Sequence, residues 1–316
     1  MAVALARRLG IFVLTALVAS VLVFALLSVL PGDPARIALG VQASAEEVAR
    51  ERTAMGLDAP LYQRYGSWLW GMLHGDMGTS YLTRQSVGPE IFDRLQVTAW
   101  VVGAGMVVAL AMALPLGVAA AVRARRPDGL VIGGISQVGI AIPAFLAGVL
   151  LSTVFAVELG WLPSSGWQAP IEGVGGFLSY LALPALALGL VQGSVLTRYV
   201  RSAVLDELGE DYLRTARAKG LTRTQALLRH GLRNAAIPVV TVAGVQLTTL
   251  LIGAVVIERV FVIPGLGSLL LDKVSQRDMA EVQSIVMVLV LAVLVLNLLV
   301  DLVSTAIDPR MRSGAR

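Results

Sequence analysis

Long apolar segments alternate with polar connections along the chain, and six of these segments contain no charged side chain. They are residues 9–30, 98–122, 130–157, 173–197, 235–257 and 282–300. Because roughly 20 apolar residues cross a bilayer as an α-helix, this pattern predicts an all-α integral membrane protein with six transmembrane helices. The third segment is long enough to tilt or to overrun the bilayer. The first is too long for a signal peptide and Pro31 follows it, so we interpret it as a retained span.

Basic residues are distributed unequally between the two sides of these spans. With the N-terminus inside, the inner connections hold sixteen of the 25 Lys and Arg residues but seven of the 21 Asp and Glu residues. Short cytoplasmic connections of membrane proteins are enriched in Lys and Arg. We therefore predict that the N-terminus and the C-terminus are both cytoplasmic. The same rule accounts for the isoelectric point of about 9.7, so the basic character does not indicate nucleic-acid binding.

This orientation divides the chain into four parts. We predict an N-terminal tail with the first transmembrane helix over 1–30, a small helical extracytoplasmic insertion over 31–96, a five-helix transmembrane core over 97–307, and a cytoplasmic tail over 308–316. The core includes a charged cytoplasmic loop over 201–234, between spans 4 and 5.

Two helices are predicted within the insertion. Ser44 and Glu47 form a capping box for a helix that runs to Met55 and is ended by Gly56. The segment 61–73 is predicted to form a second helix. It carries four aromatic residues, and these either anchor the helix at the membrane interface or pack within the insertion. They are Tyr62, Tyr65, Trp68 and Trp70.

The loop between spans 4 and 5 predicts two helices joined by a glycine. The first begins near Glu210 and Asp211 and ends with basic residues, so its charges complement the helix dipole at both ends. Gly220 suits the left-handed residue that follows a helix. Thr222 and Gln225 then form a capping box for a second helix, which is expected to reach the neighbourhood of Pro238.

The sequence excludes several kinds of chemistry. It contains no G-x-x-x-x-G-K-[ST] motif, so we expect no ATP hydrolysis by this chain. It has no Cys, and its two His residues, His74 and His230, are far apart, so no metal site is predicted. Asp301 is the one acid near the inner end of a span, which excludes an intramembrane aspartyl protease. We predict no catalytic residue and no cofactor bound by this chain.

The span interiors contain neutral polar residues but no charged ones, unlike those of most ion-coupled carriers. These residues either line a path for solute or hold helices together by hydrogen bonds. Proline at 115, 143 and 184 is expected to kink three spans. The translocation-path candidates are Gln192, Ser194, Gln246, Thr248, Thr249 and Asn297.

The loop sequence Y-x-R-T-A-R-A-K-G-L at 212–221, followed by I-P at 237–238, resembles the coupling loop of importer permeases of the ATP-binding-cassette (ABC) superfamily. Ala216 and Gly220 match the family motif E-A-A-x-x-x-G, and Arg214 stands where the family often has Glu. The chain is most similar to the first-permease branch of oligopeptide and dipeptide importers. Shorter matches occur in the same order from end to end: L-P-G-D-P at 30–34, G-L-D at 56–58, L-G-W-L-P at 159–163, I-P-G-L-G at 263–267 and D-P-R at 308–310.

The resemblance implies a bacterial cytoplasmic membrane protein that forms half of a path for peptides. Its partners would be a homologous second permease, two cytoplasmic ATPase subunits that bind ATP and Mg²⁺, and an extracytoplasmic substrate-binding protein. It implies an ATPase-docking helix made of Asp211, Arg214, Thr215, Ala216, Arg217, Ala218, Lys219, Gly220 and Leu221. It also implies an outer mouth near Trp161, Trp167, Glu258, Pro264, Gly265 and Gly267, where the proline and two glycines are expected to form a tight re-entrant turn.

Two alternatives remain open from the sequence. A self-sufficient channel or ion-coupled carrier would not need the ATPase or the charged loop. The second alternative is a permease of the same family that imports nickel chelates, glutathione or another small solute.

Overall fold

The computed structural model describes residues 2–29, 32–40 and 42–307, and every absence stated below refers to these residues. They are predominantly α-helical and contain no β-strand, as the pattern of apolar segments predicts. The predicted tail 308–316, with its D-P-R motif, and residues 30 and 31 of the L-P-G-D-P motif lie outside the described residues.

Four helices precede the second span and five more form or flank the next three. The first four are α1 (Ala2–Val29), α2 (Pro34–Leu39), α3 (Ala45–Ala54) and α4 (Leu61–Leu73). The next group is α5 (Gly88–Val122), α6 (Pro127–Ala141), α7 (Ala144–Leu151, continued by a π-helical segment Ser152–Glu158), α8 (Val174–Leu208) and α9 (Asp211–Ala218). The last group is α10 (Arg223–Ala226, followed by a π-helical segment Leu227–Gly231), α11 (Leu232–Val260), α12 (Leu266–Gln276) and α13 (Met279–Ile307).

The third predicted span is broken rather than tilted. Within the described residues, five helices are individually long and apolar enough to cross a membrane, and α6 with α7 makes a sixth candidate that is bent by 100°. The break lies at Ile142 and Pro143. Ile142 has an extended backbone (φ −86°, ψ 121°), as a residue before proline prefers, and Pro143 starts the next helix. Pro115 and Pro184, by contrast, lie inside unbroken helices.

The fifth span begins earlier than the sequence predicts. The second helix of the charged loop does not end near Pro238, because the helical stretch Arg223–Val260 continues through that residue. Proline removes one N–H from the ladder of a helix, but packing against a neighbouring helix can hold the helix together across it. Here α11 packs along α8. The charged loop and span 5 therefore form one continuous helical element.

The described chain forms two compact units. The first, which we call the N-terminal unit, comprises the described residues up to 97 and residues 265–295, and the second, the core unit, comprises residues 98–264 and 296–307. The N-terminal unit has a buried apolar cluster in which α12 and the first half of α13 pack with residues that precede span 2. Its members are Met77, Val87, Ile91, Leu266, Leu269, Ile285 and Val288.

The helix α4 uses its aromatic residues on two different faces. Tyr65 and Trp68 pack around Phe24 of α1, with ring centroids 5.4 Å and 6.0 Å from that ring. Tyr62 and Trp70, however, are 73% and 67% exposed. The predicted helices 45–54 and 61–73 are confirmed. Of the two roles considered for the aromatics, Tyr65 and Trp68 are placed for packing, and Tyr62 and Trp70 are placed for anchoring at the membrane interface.

A buried ion pair joins α12 to the first turn of α13. Lys273 Nζ lies 2.9 Å from Glu281 Oε2 and 4.0 Å from Glu90 Oε2, and Glu281 is almost completely buried. Burial alone would lower the pKa of Lys273, but the hydrogen bond to Glu281 and the nearby acids raise it, so the ammonium stays charged. Beside them, Asp278 accepts a hydrogen bond from Ser80 Oγ. These contacts fix a bend in the chain before the last span.

The core unit is organised around α8, which packs against α6, α7 and α11. Small residues recur at every fourth position of α8 from 185 to 197, and this face lies against α5. A Cβ atom built on Gly189 would lie 2.5 Å from Val108 Cβ and 2.9 Å from Gly105 O. Small residues let helices approach closely inside a membrane, where apolar burial alone does not drive association. Gly189 and Gly193 therefore set the distance between α5 and α8.

We predict that Gly189→Ala destabilises the protein by about 1–3 kcal/mol, because the added methyl group must push α5 away from α8. The measurement is the thermal unfolding midpoint in detergent. Gly175→Ala is the matched control on the same helix, since a Cβ there meets nothing within 4 Å. Equal unfolding midpoints for the two variants would contradict the close approach.

Candidate functional site

The helix α9 is short, charged and exposed, and it starts two residues after the end of α8. Asp211 lies in its first turn and Arg217 in its last, so both charges complement the helix dipole, as predicted. Arg214 Nη1 lies 3.2 Å from Asp211 Oδ1, but both side chains are mostly exposed, so this ion pair contributes little to stability. Their main effect is to present charge to the surroundings.

A Schellman motif ends α9 at the predicted glycine. The N–H of Leu221 bonds to Ala216 O at 3.4 Å, and the N–H of Gly220 bonds to Arg217 O at 3.0 Å. Gly220 has a φ of +96°, which only glycine adopts without strain. The capping box of Thr222 with Gln225 then starts α10. The predicted arrangement of helix, glycine and capped helix is thus confirmed.

One buried residue attaches α9 to the core unit. Leu213 is completely buried, whereas the other residues of the helix are exposed or half-buried. Its Cδ1 lies beside Gly231. A Cβ atom built on Gly231 would be 3.0 Å from Leu213 Cδ1 and 3.1 Å from Leu227 Cδ1. Leu227 and Gly231 bound the π-helical segment that leads into α11. The helix therefore rests on the start of span 5 and leaves its remaining surface open to a partner.

The exposed surface of α9 is small and basic. It offers Thr215 and Ala218 for close approach and Arg217 and Lys219 for pairing with acids, and all four side chains are exposed. Among the residues that the structure describes, no three His, Asp or Glu side chains are placed to hold a metal ion. The residues on this surface are therefore accessible from outside the subunit.

Four of the six translocation-path candidates form two separate pairs between helices rather than one cluster. Gln192 Nε2 of α8 donates to Gln246 Oε1 of α11 at 2.7 Å. Thr248 Oγ1 of α11 donates to Asn297 Oδ1 of α13 at 3.4 Å. The Ser194 hydroxyl bonds to a carbonyl of its own helix. The two pairs thus join α8 to α11 and α11 to α13 by hydrogen bonds.

Two of these candidates are nevertheless exposed within the core unit. Thr249, in the second half of α11, and Asn297, in the second half of α13, are both exposed. Separately, an apolar cleft of about 950 Å³ lies between α5, α8, α11 and α13, lined by residues such as Leu114, Leu247 and Val300. In the described chain, the six path candidates do not line this cleft.

The outer-mouth candidates lie at the ends of spans. Trp161 is 68% exposed, whereas Trp167 makes an edge-on contact with Phe177 at 5.5 Å between centroids. Glu258 is fully buried in α11 and accepts a hydrogen bond from Thr98 Oγ1 at 2.6 Å. The sequence singled out Glu258 but did not show that it meets Thr98.

The connection between α11 and α12 spans residues 261–265, earlier than the turn expected at 263–267. Val262 carries the left-handed conformation (φ 52°) that ends α11, and the N–H of Ile263 bonds to Glu258 O at 2.8 Å. Gly265 has an ordinary extended backbone and is the N-cap residue of α12, in which Gly267 is buried. Pro264 precedes that N-cap. Pro264 and Gly265 therefore end the connection, Gly267 lies inside α12, and the left-handed residue is Val262.

Comparisons with known proteins agree with this architecture. Residues 1–102 match the N-terminal model and residues 113–313 the main model of the binding-protein-dependent transport system inner membrane component. The chain is 43% identical to the glutathione transport system permease protein GsiC of Salmonella paratyphi A, over 98% of both chains. It is also 43% identical to the protein of the same name from Escherichia coli K12, over 97% of both chains.

Solved structures show the fold alone. The inward-facing MetNI methionine ABC transporter matches 69% of this chain and 96% of its own, with a TM-score of 0.58 and 20% identity. An amino acid ABC transporter with histidines matches 69% of this chain and 94% of its own, with a TM-score of 0.54 and 15% identity. Together with the membrane-spanning helices, the family matches lead to one identification. The chain belongs to the family of binding-protein-dependent transport system inner membrane components, as a multi-pass permease subunit of an ABC importer that works with ATPase and binding-protein partners.

Proposed function

We propose that this permease imports small peptides and that glutathione, itself a tripeptide, is its first candidate substrate. The observation that carries this proposal is the identity of 43% over 98% of both chains with permeases named for glutathione transport. Dipeptides and longer oligopeptides are the neighbouring possibility. Selection among them falls to the binding protein that delivers the substrate.

The chemistry of the spans supports a path that passes peptides without holding them. Gln246, Thr248 and Asn297 offer donors and acceptors but no charge, so they can exchange hydrogen bonds with a peptide backbone and release it. Asn297 and Thr249 are exposed in this subunit, and polar side chains seldom face lipid. In the proposed assembly they face the path and the homologous second permease.

The proposed coupling is mechanical. The exposed surface of α9 docks in a groove of one of two cytoplasmic ATPase subunits, which bind ATP and Mg²⁺. Closure of the ATPase pair moves α9, and the movement passes through Leu213 to the start of span 5. The spans change from inward-open to outward-open, accept substrate from the binding protein, and release it inward when the ATPases separate. Trp161 and Trp167 then lie near the outer opening.

This mechanism requires the N-terminus, the C-terminus and α9 to lie on the cytoplasmic side. A labelling experiment tests this orientation at the insertion and beside α9. The chain has no Cys, so single introduced thiols report topology without background from this subunit. We predict that a membrane-impermeant maleimide labels Gln63→Cys in intact cells, whereas it labels Ser202→Cys only after permeabilisation. Both side chains are exposed. The reverse pattern would place α9 outside and exclude docking to cytoplasmic ATPases.

We predict that Gly220→Pro leaves the protein in the membrane but lowers ATP-driven uptake at least about tenfold. Proline fixes φ near −65° and is incompatible with the left-handed backbone here, at a cost of order 1–3 kcal/mol. Ala216→Arg should act similarly by enlarging the docking surface. The measurements are uptake and ATP hydrolysis in proteoliposomes. Gly220→Asn is the comparison and should lower uptake less than Gly220→Pro, because Asn adopts a positive φ at lower cost than other non-glycine residues. Normal coupled uptake by Gly220→Pro would exclude the docking role.

Substrate class is tested with the complex that a tagged chain retains from its native host in mild detergent. We predict that ATPase subunits, a second permease and a binding protein co-purify, and that proteoliposomes of this complex accumulate radiolabelled glutathione in an ATP-dependent manner. Accumulation of dialanine or trialanine instead would move the substrate to unmodified peptides. Recovery of the chain alone, as a homo-oligomer, would favour a self-sufficient channel.

A further inference from the structure

Three polar side chains meet at α9, one each from α8, α9 and α11. Glu207, in the last turn of α8, accepts a hydrogen bond at Oε1 from the Tyr212 hydroxyl of α9. The same Oε1 accepts a second hydrogen bond from Asn234 Nδ2 of α11 at 3.2 Å. Asn234 Nδ2 also lies 3.1 Å from Tyr212 Oη. One carboxylate oxygen thus joins the end of span 4, the docking helix and the start of span 5.

The covalent connections of α9 are weak by comparison. Gly209 and Glu210 link it to α8, and Gly220 and Leu221 separate it from the capping box of α10. An eight-residue helix is too short to be stable alone, so its orientation depends on tertiary contacts. Leu213 provides one such contact, on the side of span 5. A single apolar contact prevents separation but leaves rotation about the contact possible.

The hydrogen bonds supply the directional restraint that Leu213 does not. Hydrogen bonds to a carboxylate are stronger than neutral ones and fix both distance and angle. Tyr212 donates a hydrogen bond to α8, and the adjacent Leu213 packs against the start of span 5 at Gly231. The helix is therefore restrained on two sides. Asn234 closes the third side by bonding α11 to both other partners.

We propose that Glu207, Tyr212 and Asn234 are positioning residues that make the inner ends of spans 4 and 5 move as one body with α9. This inference rests on the proposed docking of α9 to an ATPase. Without the three residues, a displaced α9 would tilt on Leu213 and move span 5 without moving span 4 to the same extent. With them, force applied to one short helix reaches both spans.

The test follows the distance between the inner ends of spans 4 and 5 in the complete transporter. Spin labels are attached at Ser202→Cys on α8 and Arg233→Cys on α11, which are exposed and outside the network. Electron paramagnetic resonance then compares nucleotide-free and vanadate-trapped complexes, assembled with cysteine-free partner subunits. We expect the label distance to be the same in both states. A changed distance would show that the spans move separately and would overturn the proposal.

In the same labelled complex, we predict that Asn234→Ala raises the population at a second distance about fivefold after vanadate trapping, because the side chain's hydrogen bonds to Glu207 and Tyr212 are lost. Asn234→Asp should act likewise, since it places a carboxylate against Glu207. Combining it with Glu207→Gln exchanges amide and carboxylate, restores donor and acceptor, and should return a single distance. Asp206→Ala, beside the network on α8, is the control and should change nothing.

The outcomes separate this inference from the proposed function. An unchanged distance distribution in Asn234→Ala, or no rescue by the exchanged pair, would overturn the positioning role. Co-purification of the ATPase subunits is measured for each variant and should stay at the level of the parent. If the parent itself retains no ATPase, the proposed docking is wrong. If only Asn234→Ala loses the ATPase, the three residues maintain the docking surface instead of transmitting movement.

Discussion

A hydrocarbon layer offers no hydrogen-bond partner to backbone N–H and C=O groups, and this constraint accounts for most of the architecture. The backbone must pair within each segment, which requires helices wherever the chain crosses the membrane. Side chains then decide how closely the helices pack. On α8 the small residues Gly189 and Gly193 allow contact with α5, while Gln192 faces Gln246 of α11 instead. The helix α8 thus contacts one neighbour by close packing at glycines and another by hydrogen bonding.

The sequence predicted those features that depend on local chemistry. Capping residues placed the starts of α3 and α10 correctly, and Gly220 ended α9 as expected, because caps involve residues within one turn of each other. Local chemistry could not, however, distinguish Pro143, where the helix breaks, from Pro238, where it continues. Whether a proline ends a helix depends on the packing around it, and a single sequence does not give that packing.

Contacts between distant residues were beyond the sequence. Val262 takes the left-handed conformation although a β-branched residue is strained there, and the expected turn was therefore assigned to the glycines that follow. Lys273 and Glu281 were visible as charges, but not as a buried pair. The neutral polar residues of the spans were identified, yet the structure was needed to show that Gln192 bonds to Gln246 and Thr248 to Asn297.

The distribution of charge along the core unit separates two tasks. The interiors of the spans use neutral hydrogen-bonding groups, which keep helices together at small desolvation cost. Charged groups collect on and beside α9, where water is available and a partner protein can pair with them. Leu213 lies between these regions, buried against the start of α11 while the rest of its helix stays open. Under the proposed coupling, movement of the exposed helix reaches the spans through packing and hydrogen bonds, and no ionised group has to enter the membrane.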